Sequence, residues 1–150
     1  MNTPSTPRRL LLVNGPNLNL LGSREPEIYG RATLADVEEL VRSTAGELDY
    51  GVTAVQSNHE GVLVDAIQDA RGTCAAVVIN AGAFTHTSVA LRDALVAVAL
   101  PVAEVHISNV YRREPFRHTS YLSDIAELVV VGAGVHGYAF AVQQLVRTLT

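Results

Sequence analysis

Between Leu10 and Gly30 the chain reads LLLVNGPNLNLLGSREPEIYG, and in it Arg24 stands five positions before a phenol, Tyr29. The stretch begins as an apolar run and breaks into Gly, Pro and Asn, so both side chains belong to a loop hung from a strand end. A tyrosine has an ordinary pKa of about 10, and a nearby cation lowers an acid's pKa by roughly one to three units. Arg24 beside Tyr29 would make a phenolate available near neutral pH, a base suited to a carbon-bound proton next to a carbonyl. The loop placement suits a segment that closes over substrate and excludes water. On these residues alone, a tyrosine that only packs the loop down stays open as the alternative.

A second cluster reads EVHISNVYRREPFRH, Glu104 to His118. Glu104 and His106 alternate with Val105 and Ile107, so acid and imidazole share one face of a strand and the apolar pair takes the other. A carboxylate behind an imidazole sets its tautomer and holds it ready to give or take a proton. The alternative is an edge-strand pair facing water. Arg112, Arg113 and Arg117 follow, and arginine grips carboxylates in a two-pronged way, which points to an anionic substrate. His86, in NAGAFTHTS after Asn80, offers an imidazole from another loop. Zinc or iron on His86, Asp93, Glu104 and His106 would call for a recognisable ligand spacing such as HExxH, and the sequence has none.

These groups need a frame. Strand-length apolar runs leaning towards Val and Ile fall at residues 10–13, 52–56, 75–79, 102–107 and 128–131. Helical patterns lie between and after them, at residues 34–48, 61–70, 88–99 and 135–149. Thr33 is the expected N-cap of the first, with Asp36 at its third helical position, and residues 121–125 read as one short helical turn. Strands alternating with helices predict a parallel sheet covered on both faces. Five of them predict an α/β, flavodoxin-like sandwich of order 2-1-3-4-5, with its ligand crevice beyond the carboxyl ends of the strands. Polar residues collect after three of those ends: Asn14 and Asn17, Asn80 onwards, and the stretch from Glu104. GAGVHG, residues 132–137, matches the GxGxxG dinucleotide pattern but not its usual place in the first strand–helix unit, so it predicts a tight turn with close packing.

The 150 residues suit one catalytic domain, here residues 1–150, with residues 1–7 as a loose tail. Apolar residues make up 48% and charged residues 17%, which argues against disorder. Net charge is −4 and the positive charges are scattered, so neither a nucleic-acid stripe nor a polybasic membrane patch forms. All 11 basic residues are arginine, which excludes a lysine imine and a lysine-bearing phosphate loop. Cys74 stands alone in an apolar run and is expected to be a buried small hydrophobe. The apolar run after Arg8–Arg9 is too short for an export signal, and no segment approaches the ~20 apolar residues of a membrane span; the expected location is cytoplasmic. A flavin- or nucleotide-binding module of the same fold is disfavoured by few aromatics and no Trp. A phosphoacceptor domain would need an aspartate where Asn80 stands, and a lysine.

Taken together, NGPNLNLLGSREPEIYG, QSNHEG, NAGAFTHTSVALRDAL, EVHISNVYRREPFRHTSYLS and VVVGAGVHGYAFAVQQL resemble the type II 3-dehydroquinate dehydratases, over nearly the whole chain from Leu10. The resemblance implies a flavodoxin-like fold and cofactor-free dehydration of 3-dehydroquinate to 3-dehydroshikimate, in aromatic (chorismate) biosynthesis or in quinate breakdown. It implies Tyr29 as the base at C2, Arg24 as its activator, and Asn17 as holder of a water on the enolate oxygen. His106 is implied as the acid for the departing C1 hydroxyl, with Glu104 orienting it. Asn80, His86, Ile107, Ser108 and Arg117 match substrate contacts, Arg117 suiting the substrate carboxylate, and Arg113 matches an arginine near the base. Tyr111 stands where many relatives carry histidine, and His136 where glutamine is expected. Asp93 follows His86 by seven residues, about 10 Å along a helix axis. That is far for both to share one small ligand in one chain, so Asp93 is expected to reach a neighbouring subunit's site. The resemblance implies the same, in a homododecamer built from trimers.

Overall fold

The five apolar runs pair as an all-parallel sheet: β1 (Arg9–Asn14), β2 (Gly51–Gln56), β3 (Ala76–Asn80), β4 (Val102–His106) and β5 (Leu128–Val131). The computed structural model describes residues 5–23 and 25–150, the side chain of Tyr29 excepted. Strand order is β2-β1-β3-β4-β5, the flavodoxin-like order expected from the sequence. Every residue of β3 and β4 is buried, the polar Asn80, Glu104 and His106 included.

Among the described residues, five α-helices accompany the sheet: α1 (Pro26–Tyr29), α2 (Leu34–Glu47), α3 (Glu60–Asp69), α4 (Val89–Val98) and α5 (His136–Leu149). Alternate residues of each strand feed opposite faces. Leu10, Leu12 and Val105 pack with Val41 of α2 and Tyr138 and Val142 of α5. Leu11, Val13 and Ile79 pack with Leu63 of α3 and Leu91 and Leu95 of α4. The predicted cap opens α2: Thr33 Oγ1 accepts from the Asp36 amide at 3.2 Å, and Asp36 Oδ2 accepts from the Thr33 amide at 2.9 Å. Hydrogen bonding of the carboxylate to Thr33, its backbone amide foremost and then its side chain, holds the Asp36 carboxyl below its ordinary range. Cys74 is buried, as expected.

The register brings the polar strand ends side by side. Asn14 pairs with Asn80 across β1 and β3, and Ile79 pairs with Glu104 across β3 and β4. The chain leaves β1 for β2 on one side and later returns to β3 on the other, so a crevice opens beyond these ends. The β4 strand stops at His106, one residue short of its apolar run, because the chain there meets the glycine turn after β5. Gly132 N donates to His106 O at 3.1 Å and Gly134 N to Ile107 O at 3.0 Å. Gly132 and Gly134 have φ of 81° and 65°, the left-handed region where a side chain is strained. A β-carbon on Gly137 would lie 3.2 Å from Val130 Cγ1, so this glycine lets α5 settle on the sheet. The GxGxxG stretch is thus a tight, closely packed turn. The expected turn at residues 121–125 appears as a 3-10 turn at Ser123–Ile125. Among the described residues no helix is long and apolar enough to cross a membrane.

Candidate active site

Glu104 and His106 leave β4 on the α4 side of the sheet, with β5 paired alongside, so the pair is not on an edge strand. Glu104 is 0% exposed and His106 is 7% exposed, which removes the water-facing alternative. A buried carboxylate is costly unless its oxygens find donors. Three donors converge: His106 Nε2 lies 2.5 Å from Glu104 Oε2, Ser120 Oγ 2.8 Å from the same oxygen, and Ser123 Oγ 2.6 Å from Oε1. Burial pushes this carboxyl up, but the His106 and Ser123 hydrogen bonds, the attraction of His106 and the Ser120 hydrogen bond outweigh it. The net result lies below the ordinary value. Because an ionised carboxylate only accepts, Nε2 of His106 carries its proton, and Nδ1 is the ring atom left for proton exchange.

His86 closes the 3-10 turn after β3, Gly82–His86. Its Nδ1–H donates to Thr119 O at 2.8 Å, and its ring stacks on that of His106 with centroids 6.4 Å apart. Asn80, at the tip of β3, is held from below. Its Nδ2 donates to Tyr138 Oη at 2.8 Å, its Oδ1 accepts from Gly82 N at 3.2 Å, and Tyr138 Oη donates to Asn14 Oδ1 at 2.7 Å. Burial raises the Tyr138 hydroxyl far above its ordinary pKa, with the Asn80 contact opposing, so it acts as a neutral hydrogen-bonding post.

Above these groups lies an open cavity of about 240 Å³. Asn17 lines it from the loop after β1, at a left-handed φ of 69° that asparagine tolerates. Asn80 and His86 line it from the loop after β3, and His106, Ile107 and Ser108 from the loop after β4. Arg113 and Arg117 complete that last wall. Arg113 Nη1 donates to Ser108 Oγ at 3.4 Å, and Arg117 Nε to Glu114 Oε2 at 2.6 Å. Three loops at three adjacent strand ends thus converge on one space, with two arginines, two imidazoles and two carboxamides around it. Such a wall can receive a small anionic molecule and exchange a proton with it.

Other expected residues fall elsewhere. Glu104 stands behind His106 rather than in the wall. Arg112 is exposed and does not line the cavity. Asp93 is exposed on α4 and does not line it either. Arg24 and the side chain of Tyr29 lie outside the described residues. Tyr111 is 60% exposed and rests against His118, ring centroids 5.7 Å apart; His136 is exposed at the start of α5. The sequence reading missed Ser120 and Ser123 on Glu104, and Tyr138 under Asn80. The serines sit in a short loop with no periodicity, and Tyr138 reads as an ordinary core aromatic.

An α/β sandwich with an imidazole–carboxylate pair and arginines at the switch-point crevice defines a class of small-molecule acid–base enzyme. Residues 8–146 match the family described as Dehydroquinase class II, and the chain belongs to that family. It is 59% identical over 140 residues to catabolic 3-dehydroquinase 2 of Aspergillus flavus, covering 93% of each chain. Among solved structures, the type II dehydroquinase of Propionibacterium acnes superposes with a TM-score of 0.89 at 38% identity, covering 96% of this chain and 99% of that one. That of Butyrivibrio crossotus gives 0.89 at 42%, covering 94% and 99%.

Proposed function

We propose that the protein dehydrates 3-dehydroquinate to 3-dehydroshikimate through an enolate. Tyr29, activated by Arg24, takes the proton from C2 beside the ketone. The electron pair moves into the carbonyl, and a water held by Asn17 hydrogen-bonds the resulting enolate oxygen. As the enolate collapses, the C1–oxygen bond breaks and His106 gives its proton to the departing hydroxyl, so one water leaves and a conjugated enone forms. Arg117 receives the substrate carboxylate, Arg113 stands near the base, and Asn80, His86, Ile107 and Ser108 hold the ring. This route needs no metal, no cofactor and no covalent imine.

The observation that carries the reading is the buried Glu104–His106 pair opening onto a cavity walled by Arg113 and Arg117, in a chain of this family. An imidazole whose far nitrogen is anchored to a carboxylate is well placed to deliver a proton from its near one. The test is ultraviolet absorbance: purified protein mixed with 3-dehydroquinate should generate the enone, and His106→Ala should not. The fungal relatives' description as catabolic favours service in quinate breakdown over aromatic biosynthesis.

The reading extends to assembly. Val89, Asp93 and Val96 recur at i, i+4 and i+7 on one exposed side of α4. An acid flanked by exposed valines suits contact with another copy of the chain, and supports Asp93 completing a neighbouring subunit's site within a homododecamer. Residues 1–150 act as one catalytic domain working in the cytoplasm; residues 1–4 of the expected tail lie outside the described residues.

A further inference from the structure

We propose, resting on the acid role given to His106 above, that Ser120 and Ser123 are positioning residues, whose hydroxyls hold Glu104 in the orientation and charge state that set His106 for proton transfer. Glu104 has no access to water, so each carboxylate oxygen depends on protein donors. Its Oε2 receives His106 and Ser120; its Oε1 receives Ser123 at 2.6 Å. The Ser120 hydroxyl is directional. Its oxygen accepts from Leu122 N at 3.0 Å and Ser123 N at 3.2 Å, which occupies both lone pairs and leaves its single proton for Glu104. An oxygen that receives this proton and the His106 proton together is one that carries no proton of its own.

The segment bearing the two serines is tied down at several points. Thr119 O accepts from His86, Tyr121 N donates to Thr85 O at 2.9 Å, and Arg92 of α4 donates to Tyr121 O at 2.9 Å. Arg92 also pairs with Asp124. The same short stretch therefore holds His86 by a carbonyl and His106 through the serines and Glu104, so both imidazoles keep their stacked spacing. Several titratable groups share the recess around Glu104: His106 on β4, His86 after β3, and Tyr111, Arg117 and His118 after β4. From β5 only Val129 and Val131 face it. Ser120 and Ser123 are the hydroxyl donors that reach Glu104 itself.

Ser123→Ala is the clean perturbation, because Ser120→Ala would also strip two backbone amides of their acceptor. Two readouts are taken on wild type, Ser123→Ala and Ser123→Thr: enone formation as a function of pH, and the pH titration of the Glu104 side-chain carboxyl carbon by NMR. Removing a donor from the ionised carboxylate raises the pH at which it takes a proton. The acid limb of kcat and the carboxyl titration should both rise by about one pH unit in Ser123→Ala, with KM nearly unchanged. Ser123→Thr, which restores a hydroxyl, should return both to wild type. Serines that only shape the loop predict a uniform loss of activity at every pH and an unmoved carboxyl titration, and that result overturns the assignment. Should wild type form no enone at all, the dehydration reading falls, and with it the catalytic purpose given to the serines. The NMR arm still reports separately on their hold over Glu104, and an unmoved titration there overturns that as well.

Discussion

Tyr138→Phe removes one buried oxygen and leaves the ring that packs α5 against the sheet. Tyr138 is 0% exposed, and its hydroxyl accepts from Asn80 Nδ2 at 2.8 Å while donating to Asn14 Oδ1 at 2.7 Å. Asn14 Nδ2 already lacks a partner among the described residues, so the variant strands the whole Asn14 amide in a site without water. Each buried polar group left unsatisfied costs about 1–3 kcal/mol, and two are affected, which gives roughly 3 kcal/mol of lost stability. For a chain of this size that corresponds to a fall in Tm of about 6–12 °C. Asn80 also loses the post that aims its amide at the cavity, so KM for 3-dehydroquinate should rise about tenfold while kcat changes by a few-fold at most. Urea and thermal unfolding give the first quantity, and steady-state kinetics the second. A Tm within about 2 °C of wild type, or a collapse of kcat at unchanged KM, would refute the view of Tyr138 as a neutral post beneath a binding residue.

Other consequences can be tested in parallel. Glu104 sits below its ordinary pKa in the folded protein, so its ionised form stabilises the fold above the unfolded pKa, and that contribution is lost as pH falls through the folded value. The Tm gap between wild type and Glu104→Gln should therefore narrow as pH drops below about 5; a constant gap contradicts the pairing. Arg24→Ala should slow turnover by at least tenfold, checked by the initial rate of enone formation, with the fold intact by circular dichroism. Tyr29→Phe and Asp93→Asn, each impaired alone, should regain activity when unfolded and refolded as a mixture, because some sites then pair an intact Tyr29 with an intact Asp93 from another chain. No gain over the parents means Asp93 does not act across subunits. Chelator, and borohydride in the presence of substrate, should leave turnover unchanged; loss to chelator that added metal restores would point to a metal-dependent reaction.

Much of this arrangement could be read from local pattern. The Thr33–Asp36 cap follows from two residues three apart, and the shared face of Glu104 and His106 from strand alternation. What escaped the sequence is contact between distant segments. Ser120 and Ser123 meet Glu104 from 16 and 19 residues away, and Tyr138 meets Asn80 and Asn14 across 58 and 124. No spacing rule links such pairs; only the sheet register and the seating of α5 bring them together. Ile107 shows the same limit from the other side. Its composition belongs to a strand, but hydrogen bonding from the turn after β5 ends β4 at His106.

Ultraviolet absorbance on mixing enzyme with 3-dehydroquinate tests the central claim most directly, with wild type and Tyr29→Phe followed under the same conditions. The account predicts a steady rise from the conjugated enone with wild type, and a rate lower by several orders of magnitude in the folded variant. No rise with wild type, or a near-normal rise with Tyr29→Phe, would contradict it.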